Sequence, residues 1–371
     1  MSGDRKNIRI IISGGGTGGH LFPAISIANA LKRLEPSADI LFVGAEGRME
    51  MQKVPEAGYE IEGLPVAGFI RSLTTKNISV VLRLFRSMMK ARKIVRRFSP
   101  DVVVGVGGYA SGPVLKQAQR MNIPTVIQEQ NSYAGVTNKL LAKNATRICV
   151  AYDGMEKYFP KEKIITTGNP VRHSFDNLGA LHSEAMEYFK LESGKPVILV
   201  LGGSLGAGTV NSSIGGGIGL FEDAGVQVIW QTGSHYYDRM REQTEAAAAQ
   251  NIRVLGFINR MDLAYAAADV IISRAGAGTI SELELVGKTV ILVPSPNVAE
   301  DHQTHNAMAL VNRNAAILIT DADAPAKLVS NALTLVNDTV RCAALSENIK
   351  RMAYRNADEV IAREVLKLVK K

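Results

Sequence analysis

Short runs of consecutive apolar residues alternate along the whole chain with longer segments whose apolar positions recur at helical spacing. Near-continuous apolar runs of this kind predict strands covered on both faces, as in parallel sheets. In the first half the predicted strands are 8–13, 40–44, 102–106, 125–128, 147–151 and 164–166, with helices at 23–33, 46–57, 78–98, 111–121 and 135–142 between them. In the second half they are 196–201, 226–231, 252–257, 270–273, 289–293 and 316–319, with helices at 209–221, 236–249, 261–268, 279–286, 301–312 and 325–337. This regular alternation predicts an α/β protein made of two doubly wound, Rossmann-like domains. The turn-rich segment Thr167-Gly168-Asn169-Pro170-Val171-Arg172 marks the join. The expected domains are 1–168 and 169–352, with the end of a last helix, about 353–371 and interrupted near Asn356, crossing back onto the first.

Composition changes this picture little, because 371 residues with 46% apolar content suffice for two cores. Cys149 and Cys342 lie far apart without metal-ligand spacing and are expected to be reduced, packed as small apolar residues. No signal-type apolar segment opens the sequence, and no apolar stretch approaches bilayer-spanning length. The expected location is therefore cytoplasmic or on the cytoplasmic face of a membrane.

Charge adds more. The net formal charge of +8 suits a polyanionic or anionic-lipid partner. Between Glu62 and Asp101 there is no acidic residue, while Arg71, Lys76, Arg83, Arg86, Lys90, Arg92, Lys93, Arg96 and Arg97 all fall there, interleaved with Phe69, Ile78, Leu82, Phe85 and other apolar residues. Two readings stand: a core-facing helix with a solvated basic face, or a basic amphipathic helix that meets anionic lipid.

Candidate chemistry sits where strands hand over to helices. Gly14-Gly15-Gly16-Thr17-Gly18-Gly19-His20 and Gly202-Gly203-Ser204-Leu205-Gly206-Ala207 each follow an apolar strand. Glycine-rich turns of this kind bring backbone N–H groups and a helix N-terminus close to an anion. One loop in each half predicts two phosphate-bearing ligands facing each other across a cleft. Gly14, Gly16 and Gly19 also fit the dinucleotide fingerprint, and Glu46 is the acid available near the next strand end. His20, in the first helical turn, would be kept neutral by the positive end of the helix. It serves there as a general base or only as a hydrogen-bonding residue.

Three further strand ends carry polar groups. Gly105-Val106-Gly107-Gly108-Tyr109-Ala110-Ser111 forms another flexible turn, and Gln128-Glu129-Gln130-Asn131 offers a carboxylate among amides, to grip a polyol, polarise a hydroxyl or simply turn the chain. Ser273-Arg274-Ala275-Gly276-Ala277-Gly278-Thr279-Ile280-Ser281-Glu282 opens a helix with small residues, so its N–H groups face an anion and Glu282 a ribose or a cap. Gln303 and Asn306 could hold sugar hydroxyls. A Walker lysine and an H-E-x-x-H motif are missing from the sequence, and Gly202-Gly203-Ser204-Leu205-Gly206, although it has G-x-S-x-G spacing, is read as the anion-binding turn described above and not as a nucleophile elbow. Asp321-Ala322-Asp323 reads as a helix-capping turn, not a metal bridge, so neither metal nor cofactor is expected.

With these motifs in order, the whole chain resembles the GT-B glycosyltransferases and, within them, the MurG family. The resemblance rests on Gly15–His20, Gly107-Gly108-Tyr109 with Ser111-Gly112-Pro113, Glu129-Gln130-Asn131, Gly168-Asn169-Pro170-Val171-Arg172, Gly202-Gly203-Ser204, Arg274-Ala275-Gly276 with Thr279 and Ser281-Glu282, and His302-Gln303 with Asn306-Ala307. It implies metal-independent, inverting transfer of N-acetylglucosamine from its UDP donor to the 4-hydroxyl of N-acetylmuramyl-pentapeptide pyrophosphoryl-undecaprenol, lipid I becoming lipid II. Thr17, Gly18, Gly19 and Asn131 would face the sugar and acceptor, Arg172 and Ser204 the diphosphate, and Ile258 the uracil. Ala277, Gly278, Thr279, Ile280, Ser281 and Glu282 would hold phosphates and ribose, and Gln303 the sugar. His20, or Glu129, would take the hydroxyl proton. The sequence departs from the family at Gln128, where a histidine is expected.

The resemblance also implies peripheral attachment to the cytoplasmic face of the inner membrane through Phe69, Ile78, Leu82, Phe85 and Tyr109, with no nucleic-acid partner. The main rival is a UDP-N-acetylglucosamine 2-epimerase of the same fold. A nicotinamide-dependent oxidoreductase and a non-catalytic sugar-nucleotide sensor are weaker rivals.

Overall fold

Among the described residues all strand pairings are parallel, so the β–α turns emerge at the carboxyl end of each sheet. The computed structural model describes residues 7–66, 76–171, 175, 177–203 and 206–369. The chain divides into two compact units, Met1–Val171 with Tyr354–Lys371, and Arg172–Ala353.

The first unit runs β1 (Arg9–Ser13), α1 (Gly18–Leu34), β2 (Asp39–Ala45), α2 (Glu50–Glu56), β3 (Glu60–Leu64), α3 (Lys76–Phe98), β4 (Val102–Gly105), α4 (Ser111–Arg120), β5 (Thr125–Glu129), α5 (Val136–Ala142), β6 (Arg147–Val150) and β7 (Ile164–Thr166). Its sheet order is β3-β2-β1-β4-β5-β6-β7, so the winding reverses between β1 and β4. The alternation within β1 and β4 explains the two cores. Ile10, Ile12, Val102 and Val104 point to one face, and Ile11 and Val103 to the other. All are fully buried, each side chain worth roughly 1.5–3 kcal/mol of burial free energy.

The second unit runs α6 (His182–Tyr188), β8 (Val197–Leu201), α7 (Gly208–Gly216), α8 (Ile218–Asp223), β9 (Gln227–Gln231), α9 (Tyr237–Ala246), β10 (Ile252–Leu255), α10 (Met261–Ala267), β11 (Val270–Ser273), α11 (Ala277–Val286), β12 (Thr289–Leu292), α12 (His302–Val311), β13 (Ile317–Leu318), α13 (Ala324–Asn337) and α14 (Thr339–Lys350). Its order is β10-β9-β8-β11-β12-β13, with the reversal between β8 and β11. Trp230 is fully buried there, and its indole N–H donates to Asn211 Oδ1 at 3.0 Å.

The final helix, α15 (Ala357–Leu366), buries Ile361, Ala362 and Val365 in the first unit's core against α1. Its buried Asp358 pairs with Arg33 at 2.6 Å. Asn356, at φ 57°, ends the preceding turn in the left-handed region that asparagine tolerates.

Apolar pattern missed several features, among them α6, which no predicted helix covers. β3 was not predicted because Glu60 and Glu62 break its apolar run, and it lies at the sheet edge where polar residues are tolerated. The predicted helix 209–221 is two helices, since Gly217 sits so close to α13 that a Cβ would fall 2.7 Å from Val329 Cγ2. The interruption expected near Asn356 is present, between α14 and α15, but α14 starts earlier than the expected last helix, at Thr339. Both cysteines are unpaired, and burial pushes the Cys149 thiol up to about 12.

Burial also pushes the Glu284 carboxyl on α11 up to about 8, against the opposing influence of Arg313. Ionising Glu284 is therefore harder in the fold than in the unfolded chain. Its stability contribution is complete below the usual carboxylate range and is lost as pH rises to about 8. Glu284→Gln should remove this loss. Thermal melts at pH 5 and pH 9 should show the variant gaining on the wild type at pH 9 by about 1 kcal/mol or more, roughly 2–4 °C for a unit of this size. A wild-type-minus-variant difference independent of pH would contradict this.

Candidate functional site

In open α/β sheets ligands bind outside the strand ends where winding reverses. In the first unit that point lies between the turns after β1 and β4. Gly15 and Gly16 there have φ of 136° and 87°, which side-chain-bearing residues rarely adopt. The loop is wedged between two walls. A Cβ on Gly108 would lie 2.2 Å from Gly15 O, and one on Gly107 would lie 2.7 Å from the His20 ring.

On the other side stands Glu50, fully buried at the start of α2. Its Oε1 accepts the Gly16 and Ala45 N–H groups at 3.0 Å each, and its Oε2 accepts Gly16 N–H at 3.1 Å. An internal carboxylate thus occupies the N–H that a dinucleotide pyrophosphate would use. Like charge at that seat argues against the oxidoreductase reading. Glu46, the acid suggested for ribose, is instead half-exposed and paired with Lys90 at 2.8 Å.

Thr17 is the N-cap of α1 in extended conformation, yet its side chain does not cap the helix. Its Oγ1 lies 3.0 Å from His20 Nδ1. Gly18 and Gly19, the first two residues of α1, therefore have no side-chain cap at the positive end of a 17-residue helix. His20 is half-buried beside Gly107.

The Gln128–Asn131 segment follows β5. Glu129, 1% exposed, is saturated by N–H donors: Asn131 N at 3.1 Å, Asn131 Nδ2 at 3.3 Å, Gly135 N at 2.9 Å and Asn138 Nδ2 at 2.9 Å. This geometry counts against its expected role as proton acceptor, because both oxygens are already occupied by donors from its own turn and helix and leave no approach for a hydroxyl. Glu129 shapes the turn that presents Asn131. Gln128 and Gln130 are also buried and bonded inwardly, Gln128 Nε2 to Asn169 Oδ1 at 2.9 Å and Gln130 Nε2 to Val106 O at 2.7 Å. They brace the segment and do not grip a polyol.

Of the residues expected at a membrane, Phe85 is 65% exposed and Tyr109 56% exposed. Ile78 and Leu82 lie on the α3 backbone, but their side chains, like Phe69 entirely, fall outside the described residues. The later turns of α3 do pack, through Ala91, Ile94 and Val95. Nearer its start Leu84, Phe85 and Met89 are exposed among Arg83, Arg86 and Lys90.

In the second unit the reversal lies between the turns after β8 and β11. Arg172 and Ser204 fall outside the described residues. Gly206, at φ 85°, admits the Tyr236 ring, which also backs Gly208 at the start of α7. Ala277–Glu282 form the first turns of α11, and its N-cap Gly276 supplies no side-chain cap. Ile280 and Ser281 are buried, so Ile280 can offer a ligand only backbone.

Glu282 is half-buried and accepts from the Tyr265 hydroxyl at 3.4 Å. Burial, and then Glu282 itself, pushes that hydroxyl well above the usual phenol range, so it stays a donor. Gln303 Oε1 accepts from Ala275 N at 3.2 Å and Ser295 N at 2.8 Å, so the amide is oriented by its oxygen and its NH₂ is the donor end. Ile258 is 3% exposed, and its N–H donates to Gln231 Oε1 at 3.2 Å.

Asp321 corrects another expectation. Asp323 makes the capping turn with Thr320, while Asp321 accepts from Arg274 Nη1 at 2.5 Å and from Thr209 Oγ1 at 2.8 Å. Arg274 donates further to Val293 O at 3.0 Å and Pro294 O at 3.2 Å. The start of α7 is thereby tied to the turn before α11. Asp321, Thr209, Tyr236, Tyr265 and Glu50 were not read from sequence as site residues, since each acts through a partner far along the chain. Among the described residues no three His, Cys, Asp or Glu side chains converge as a metal site.

Two doubly wound units with glycine-rich turns at their reversal points define the GT-B fold. Residues 10–150 match the glycosyltransferase family 28 N-terminal domain and residues 197–361 its C-terminal domain. The chain belongs to glycosyltransferase family 28 and, within it, to the MurG family. A relative from Bacteroides fragilis is 59% identical, aligned over 99% of this chain and 97% of its own length. One from Parabacteroides distasonis is 56% identical over 99% of this chain and 100% of its own. Both are named UDP-N-acetylglucosamine–N-acetylmuramyl-(pentapeptide) pyrophosphoryl-undecaprenol N-acetylglucosamine transferase. The crystal structure of Acinetobacter baumannii MurG superposes with TM-score 0.80 at 25% identity, covering 98% of this chain and 100% of that one. The UDP-GlcNAc 2-epimerase of Neisseria meningitidis, at 14% identity and TM-score 0.65 over 98% and 100% of the two chains, shares the fold alone.

The geometry of Glu129 makes a specific prediction. Glu129→Gln should replace an acceptor by an NH₂ group facing N–H donors, costing about 1–3 kcal/mol of stability. Denaturant titration should show this loss. An unchanged midpoint, with a displaced pH dependence of the rate, would instead return Glu129 to the chemistry.

Proposed function

We propose that this protein transfers N-acetylglucosamine from UDP-N-acetylglucosamine to the 4-hydroxyl of N-acetylmuramyl-pentapeptide pyrophosphoryl-undecaprenol, inverting the anomeric carbon and turning lipid I into lipid II. The observation that carries this reading is the 59% identity, over nearly the whole length of both chains, to a relative named for that transfer. The site geometry supports the roles of individual residues.

In the second unit, the uncapped start of α11 takes a donor phosphate on the N–H groups of Ala277, Gly278 and Thr279. Glu282, oriented by Tyr265, accepts from ribose hydroxyls. The amide NH₂ of Gln303 donates to the sugar. Ile258 meets the uracil through its backbone. Arg172 and Ser204 complete the diphosphate site by family resemblance. As the bond to UDP breaks, charge grows on the leaving phosphate, and preorganised N–H groups stabilise it without a metal ion.

In the first unit, Thr17, Gly18, Gly19 and Asn131 face the acceptor and the transferred sugar. His20 is the general base. For its Nε2 to accept the hydroxyl proton, Nδ1 must carry a hydrogen, and Thr17 Oγ1 at 3.0 Å is placed to accept it. Thr17 therefore selects the tautomer that catalysis requires.

The protein acts as a peripheral enzyme on the cytoplasmic face of the inner membrane. Leu84, Phe85 and Met89, exposed among Arg83, Arg86 and Lys90, give α3 an apolar surface ringed by cations. Tyr109 is exposed as well, and Phe69, Ile78 and Leu82 join the membrane contact by family resemblance. Among the described residues no helix is long and apolar enough to cross a membrane.

The test is transfer of labelled N-acetylglucosamine from its UDP donor to polyprenyl-diphosphate-linked N-acetylmuramyl-pentapeptide, with chelator present. Label should move into the lipid fraction. Bound or epimerised donor without transfer would favour the epimerase or sensor readings. His20→Ala should lower kcat by about 10²–10³-fold with little change in KM for the donor. Thr17→Val should lower kcat by roughly 10-fold in the same pattern. Parallel loss of donor affinity in both variants would remove His20 from the proton transfer.

A further inference from the structure

Glu50 stands outside the chemistry described above, and its environment is unusual. It is a fully buried carboxylate for which the described residues provide no ion pair. Its hydrogen-bond partners are two backbone N–H groups, Gly16 and Ala45. Burying a carboxylate without a cation is costly, and a neutral side chain would fill the volume at less expense. The surrounding backbone is shaped to admit it. A Cβ on Gly15 would lie 2.3 Å from Glu50 Oε1, and one on Gly44 would lie 2.6 Å from Glu50 Cγ.

Glu50 grips the loop one residue before Thr17. Thr17 in turn meets His20 Nδ1 at 3.0 Å, and the His20 ring rests against Gly107. With Gly108 closing on Gly15 from the opposite side, the loop is held on both flanks. Gly107 and Gly108 form a passive wall of backbone, whereas Glu50 pulls on a defined N–H. The direction in which the loop delivers Thr17, and through it His20, is therefore set by the carboxylate.

We propose that Glu50 is a positioning residue for transfer. Its carboxylate fixes the first glycine-rich loop so that Thr17 and His20 meet the acceptor hydroxyl, and it touches neither substrate. This rests on the reading of His20 as general base. Displacements of about 1 Å in a catalytic group are enough to lower a rate by roughly 100-fold, so the loop's anchor belongs to the machinery even though it is remote from the reacting atoms.

The experiment uses the full chain with UDP-N-acetylglucosamine and the polyprenyl-diphosphate acceptor. It compares wild type, Glu50→Gln and Gly15→Ala for kcat, donor KM, UDP affinity by calorimetry, and melting temperature. Glu50→Gln keeps the shape of the side chain but turns an NH₂ toward an N–H and removes the charge. Gly15→Ala leaves Glu50 intact and displaces it from the loop side. Both should lower kcat by about 10-fold or more while donor KM and UDP affinity stay within about 2-fold. Wild-type kcat in Glu50→Gln overturns the proposal. So does a fall in kcat matched by equal loss of UDP affinity or by a collapsed melting transition in both variants, which is what a merely structural carboxylate would give. A wild type that binds UDP but moves no label overturns the function proposed above, and this role with it. Active wild type with unaffected variants overturns only the role of Glu50.

Discussion

Parallel pairing is the constraint on which the rest of this protein depends. Because every strand runs the same way as its neighbours, all β–α turns of a unit gather at one end of its sheet. Parallel strands need helical crossovers, and these cover both faces, so polar chemistry has nowhere to go but the strand ends. The reversal of winding between β1 and β4, and between β8 and β11, then opens a crevice between neighbouring turns in each unit. The glycine loops, the Gln128–Asn131 segment and the start of α11 are all products of that single arrangement.

Within those crowded turns, the accounting of backbone N–H groups separates scaffold from site. A buried N–H needs a partner, and the fold supplies internal acceptors for some turns and withholds them from others. Glu50 closes the N–H of Gly16, Glu129 closes those of Asn131 and Gly135, and Gln303 closes those of Ala275 and Ser295. The starts of α1 and α11 have no side-chain cap. In each unit, then, acceptors from the protein itself rigidify the turn, and the N-cap residue of the helix beside it supplies no side-chain cap. Rigid turns carrying polar ends are what a transferase needs, since stabilisation of developing charge depends on donors that do not have to move.

Much of this was readable from the chain. The apolar runs at Ile8–Ile12, Val102–Val106 and Val197–Leu201 could only be covered strands, and glycine after each could only be a tight turn, so the two doubly wound sheets and the place of each loop followed from pattern. His20 was recognisable because a histidine in the first turn of a helix has a physical consequence wherever that helix lies. Glu60–Leu64 was not recognisable, because an edge strand keeps its polar residues and loses the apolar signature. The run Gly215-Gly216-Gly217 was a local sign of a break that the helical apolar spacing overrode, while the close approach that requires glycine at 217 comes from Val329, more than a hundred residues away.

The carboxylates mark the boundary most clearly. The sequence by itself determined that Glu46, Glu129, Glu282 and Asp321 lie near strand ends or helix starts and that Glu50 lies in a helix, since position along the chain is a matter of period and turn chemistry. Only the tertiary structure decided what each one does. Glu46 faces solvent and Lys90, Glu50 is sealed against the Gly16 N–H, Glu129 is consumed by its own turn, Glu282 meets Tyr265, and Asp321 joins Arg274 to Thr209. A carboxylate's behaviour is set by its desolvation and by the donors within about 3 Å of its oxygens. Those donors come from segments distant in sequence, and folding alone brings them together.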